Sequence, residues 1–118
     1  MSAPVRIFVA VVLAGIVGNV VNAVAAAILL NPELIGFSMV IGRYIVAILV
    51  AALIPILMAT VGGMPGLVLS FIGLTVIPSL LAKFVFGSGA DWVIVLMLNA
   101  IYAIAAMVTY RAIAGDRG

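Results

Sequence analysis

YIVAILVAALIPILMATVGGMPGLVLSFIGLTVIPSLLA, the stretch from Tyr44 to Ala82, runs for 39 residues without one charged side chain. An α-helix rises about 1.5 Å per residue and the hydrocarbon core of a bilayer is about 30 Å thick, so about 20 residues make one crossing. The stretch is too long for a single span. Near its middle it is punctuated by Gly62-Gly63-Met64-Pro65-Gly66, a cluster of residues that break helices and favour turns. Two antiparallel membrane helices joined by a tight turn follow, at about 40–60 and 66–86.

The same reading extends in both directions. Ile7 to Leu30 is a second uncharged run, of 24 residues, and predicts a first span at about 7–30. Asn31-Pro32-Glu33 ends it, because proline cannot continue a helix, while Asn31 can cap a short interfacial segment from Pro32 to Ser38. Beyond the third span, Phe86-Gly87-Ser88-Gly89 is the next breaker, and Ser88 with Asp91 has the spacing of a capping box. A fourth span is expected at about 91–111, with a polar tail after it. The fold class is therefore an all-α bundle of about four transmembrane helices with short loops, a single membrane domain over residues 1–118.

Composition agrees and excludes much else. At 69% hydrophobic and 7% charged, the chain has too few polar side chains to cover a water-exposed surface, so lipid is its solvent. It has no cysteine and no histidine, which removes disulfides, thiolate chemistry, the usual zinc sites and histidine-ligated haem. The net charge of +2 comes from five scattered basic residues rather than a patch, so nucleic acid is not an expected partner. Serines and threonines have no histidine to activate them, and the three carboxylates fall at span ends or in the tail. No enzyme, and no cofactor or metal site, is expected. The six methionines read as packing residues.

The N-terminal region admits a second reading. Arg6, the apolar run and Ala23-Val24-Ala25 resemble a secretory signal with its cleavage site, but the run continues to Leu30 and contains Asn19 and Asn22, which favours an uncleaved helix. With the N-terminus in the cytoplasm, Arg6, Arg111 and Arg117 lie inside, against Arg43 and Lys83 outside. This bias of three to two favours a plasma (inner) membrane protein with both termini cytoplasmic, and it is small enough to permit insertion in both orientations. Phe37, Tyr44 and Trp92 would anchor one interface, Phe8 and Tyr110 the other.

No Asp, Glu, Lys or Arg falls in the middle of any span, whereas proton-coupled pumps hold an ionisable group at depth. The first span instead carries Gly15, Gly18, Asn19, Asn22, Ala23 and Ala26 at spacings of three and four, a face for close helix contact. Asn99 and Tyr102 form a similar pair in the fourth span, and hydrogen bonding between spans one and four is the expected use of all four residues. The alternative is that Asn19, Asn22, Asn99 and Tyr102 line a solute path. The third span offers Gly66, Ser70 and Gly73 as a further packing face. Arg43 and Lys83 should snorkel to the interface, with Glu33 and Asp91 on the same side to pair with them. Pro55 and Pro78, in the similar segments Ile54-Pro55-Ile56 and Ile77-Pro78-Ser79, should kink their helices.

Two functions fit: an accessory or assembly subunit of a larger membrane complex, and a homo-oligomeric channel or facilitator for a small solute. The expected partners are the lipid bilayer with other membrane subunits, or further copies of this chain.

Overall fold

A computed structural model describes residues 2–29, 41–85 and 92–115. Among these the secondary structure is entirely helical: α1 Ala3–Leu29, α2 Ile41–Ala51, α3 Leu53–Thr60, α4 Gly63–Leu80, a π-helical extension Leu81–Val85, and α5 Trp92–Ala114. Four stretches are long and apolar enough to cross a membrane: Ala3–Leu29, Gly42–Thr60, Gly63–Leu80 and Trp92–Ala114. The protein is thus a multi-pass membrane bundle. Its expected interfacial segment at 32–38, the Ser88–Asp91 capping box, Glu33, Phe37, Asp91 and Arg117 lie outside the described residues.

Local chemistry explains where each helix begins and ends. The first span starts at Ala3, one turn earlier than the apolar run, because Ser2 caps it: its hydroxyl accepts the Val5 N–H at 3.4 Å and its carbonyl the Arg6 N–H at 2.9 Å. Pro4 then sits in the first turn, where its missing N–H costs nothing. The second span is interrupted at Ala52. Pro55 cannot donate to the Ala51 carbonyl four residues back and its ring crowds that turn, so the helix breaks just before it. At the far end of α3 the Leu57 carbonyl accepts both the Val61 and Gly62 N–H groups, at 2.8 and 3.1 Å. Gly62 and Gly63 follow at φ of 71° and 58°, left-handed conformations that side-chain-bearing residues rarely adopt, and the chain reverses directly into α4. The last helix closes the same way, on Gly115 at φ 69° with its N–H on the Arg111 carbonyl.

The four spans pack in chain order around a ring: the first against the second and fourth, the third against the second and fourth. The interior is lined with small residues, among them Ala10, Ala14, Ala47, Ala51, Ala103 and Ala106, with Ile54, Leu74, Tyr102 and Tyr110 filling the space between them. Large side chains such as Phe8, Ile28, Leu49 and Val108 point outward. This inverts the usual soluble distribution for a physical reason. Lipid tails solvate leucine and phenylalanine as well as a core does, so helices associate through close backbone approach rather than through apolar burial.

Tyr110 departs from its expected place. Rather than anchoring an interface from the lipid side, it is 1% exposed and belongs to the bundle core, whereas Phe8 does face outward. At the opposite end of the bundle Trp92 meets Phe84, ring centroids 5.9 Å apart, and Lys83 Nζ lies 5.6 Å from the Trp92 ring centroid. Cation, aromatic and lipid-facing surface are combined there in the manner of a membrane-interface belt.

Candidate functional site

Three interhelical hydrogen bonds of polar side chains carried at depth meet on one short piece of α5. Asn22 of α1 is 5% exposed and donates from Nδ2 to the Leu98 carbonyl at 2.9 Å. Asn99 donates from Nδ2 to Ser79 Oγ of α4 at 3.0 Å, and that hydroxyl donates on to the Thr75 carbonyl at 2.6 Å. Tyr102 donates its hydroxyl to the Ala47 carbonyl of α2 at 2.5 Å. Leu98, Asn99 and Tyr102 span little more than one helical turn, and from that turn α5 is tied to each of the other three spans.

Glycine makes these approaches possible. A Cβ on Gly18 would lie 2.6 Å from the Tyr102 ring, so the ring occupies the space where α1 has no side chain. On the neighbouring face, a Cβ on Gly15 would lie 2.5 Å from the Ile48 Cα, which places the backbones of α1 and α2 in direct contact. Tyr102 can therefore pack directly against α1 at Gly18 while its hydroxyl reaches α2. Ala47 is itself a helical residue, and a carbonyl oxygen has a second lone pair with which to accept the phenol.

Of the residues singled out in the sequence, Asn19 and Asn22 are both buried in α1, and Asn22 makes the expected link to the fourth span. Asn99 and Tyr102 differ from the expected pairing with the first span: their donors go to the third and second spans respectively. Arg43 is half-buried in the first turns of α2, and Lys83 sits in the π-helical extension against Trp92. Ser79, Thr75 and the Ala47 carbonyl were not anticipated as partners. The signal for Ser79 was depth, since it and Asn99 lie at a similar distance from the connection between the third and fourth spans. Nothing in the sequence marks Ala47.

Chemically, the cluster offers carboxamides, aliphatic hydroxyls and one phenol, with Asn22, Tyr102 and Ser79 donating to carbonyls and Asn99 to Ser79. No base stands beside a nucleophile in it. Such groups hold helices in register. The third span adds Ser70, fully buried and with its Oγ lacking a hydrogen-bond partner among the described residues.

Fold and cluster together define an α-helical multi-pass membrane protein in which Asn22, Asn99 and Tyr102 join helices of the same chain. Comparison with profiles of protein families, with curated proteins and with solved structures finds no match to this chain.

Proposed function

We propose that this chain is a non-enzymatic accessory or assembly subunit of a larger membrane complex, acting through its helix surfaces rather than through chemistry of its own. The observation that carries this reading is the turn containing Leu98, Asn99 and Tyr102, where the polar donors suited to lining a solute path are directed at neighbouring helices of the same chain. What such a bundle presents outward is a broad apolar surface, including Leu69, Ile72 and Val76 of α4. That surface suits lateral contact with other membrane helices. An inner-membrane location with cytoplasmic termini, resting on the three-to-two bias of Arg6, Arg111 and Arg117 over Arg43 and Lys83, belongs to the same proposal.

Native mass spectrometry of the tagged protein, extracted from its host membrane in mild detergent, tests it. The expected result is a larger partner in fixed stoichiometry. A homo-oligomer that conducts solute in liposomes, and loses that flux when Asn19→Leu and Asn22→Leu are combined, would replace the subunit reading with the facilitator.

A further inference from the structure

We propose that the groove between α4 and α5 binds one phospholipid with an anionic headgroup, its acyl chain in the groove and its phosphate at Arg111. The cavity, about 240 Å³, is lined by Leu67 and Phe71 from α4 and by Ile104, Met107, Val108 and Arg111 from α5. An apolar cavity of about 150 Å³ already accommodates benzene, so this one has room for a length of acyl chain.

Three features select the occupant. The lining is apolar apart from Arg111, so the buried part of the ligand must be hydrocarbon. Ile104 and Val108 are 54% and 65% exposed on a span that crosses the membrane, so the groove opens sideways into lipid rather than toward water. A ligand arriving from that direction is a bilayer component. Finally, the groove ends at Arg111 in the last turn of α5, where the span meets the interface, and Arg111 is exposed there. A guanidinium binds a phosphate diester through charge-assisted hydrogen bonds, and it favours a headgroup whose phosphate charge is not offset by a tethered quaternary ammonium, as basic pockets between membrane helices do for anionic lipids. The helices are antiparallel, so this end of the bundle also carries Arg6 and the Gly62-Gly63 turn. The inference is independent of whether the chain has a protein partner.

The full chain, delipidated in mild detergent, is titrated with phosphatidylglycerol or with phosphatidylcholine of the same acyl composition and read by native mass spectrometry. One phosphatidylglycerol per chain is expected, favoured over phosphatidylcholine by about fivefold, the factor that one basic residue contributes at an anionic surface. Arg111→Gln should reduce that preference to near parity while leaving acyl binding in place. Met107→Trp, which fills the groove, should lose both lipids, with circular dichroism showing that helicity is retained. Equal binding of the two lipids by the unaltered chain overturns the proposal, as does a preference that survives Arg111→Gln. A dimer that excludes lipid and dissociates on Met107→Trp would also overturn it, by assigning the groove to a second copy of the chain.

Discussion

The contact of α1 with its neighbours and the contact between α3 and α4 both rely on glycine, yet they are built differently. In the first, Gly15 faces the Ile48 backbone and Gly18 faces the Tyr102 ring. In the second, Gly73 faces the tip of Leu53, whose Cδ2 would lie 2.5 Å from an added Cβ, and Gly66 faces the Met58 sulfur at 3.1 Å with the Leu57 carbonyl at 3.3 Å. At Gly73 the distance matches that at Gly15 but the obstacle does not, while at Gly66 the contact is looser and the nearest atom is a methionine sulfur. A backbone or a ring fixed by its own hydrogen bond cannot step aside, whereas a leucine or methionine tip can rotate into lipid-facing space. Adjacent spans joined by a two-glycine turn are held together by the chain. Spans one and four, separated by most of the sequence, depend on fit.

That contrast can be broken or sharpened by substitution, with stability followed by unfolding in mixed micelles. The largest effect is expected for Gly15→Ala, which must push α1 and α2 apart and should cost about 3 kcal/mol, near the upper end for overpacking. Gly18→Ala should cost about 2 kcal/mol, because the Tyr102 ring can shift only by weakening its bond to Ala47. Asn22→Leu and Tyr102→Phe each remove one interhelical donor and should cost about 1 kcal/mol, within the range measured for such bonds in membrane bundles. Gly73→Ala should be smallest, within about 0.5 kcal/mol of neutral, since the strain of moving Leu53 is offset by the better helix propensity of alanine. If Gly73→Ala proved as damaging as Gly15→Ala, the distinction between rigid and yielding obstacles would be wrong.

The two prolines make a second comparison. Pro55 interrupts its span at Ala52, but Pro78 lies within an α4 that runs on to Leu80 and then widens into a π-helical turn. The Leu81 N–H there lies between two acceptors, the Ile77 and Pro78 carbonyls. That each proline disturbs its helix was legible, but the form of the disturbance, an interruption at Ala52 and a π-helical turn after Leu80, was not, because it depends on how neighbouring carbonyls are satisfied. In α4, Thr75 and Ser79 both return their hydroxyls to carbonyls one turn back, on Phe71 and Thr75.

Much of the fold was legible because lipid imposes a length on each helix. The Tyr44–Ala82 run could only be two spans, and both appear, at Gly42–Thr60 and Gly63–Leu80. The start of α1 lies four residues before the apolar run begins at Ile7, because the Ser2-Ala3-Pro4 cap that sets it carries no hydropathy signal. At the site, the type of residue was readable and its partner often was not. Asn22 and its small-residue neighbours indicate a contact face, but the acceptor is the carbonyl of Leu98, and a backbone acceptor leaves no trace in sequence. Tyr110 shows the same limit, since a tyrosine near a span end is equally suited to the interface and to the core until the facing alanines are placed.

The Gly62-Gly63 turn has a consequence for how the chain enters a membrane. Between Thr60 and Gly63 there is neither a charge nor a loop for either aqueous compartment to retain. The second and third spans must then partition as one hairpin, and that hairpin carries no information about which way round it should sit. The basic residues that set sidedness flank it in sequence, Arg43 and Lys83 on one side and Arg6, Arg111 and Arg117 on the other, so moving a single basic residue across is the smallest edit that could turn the whole molecule over.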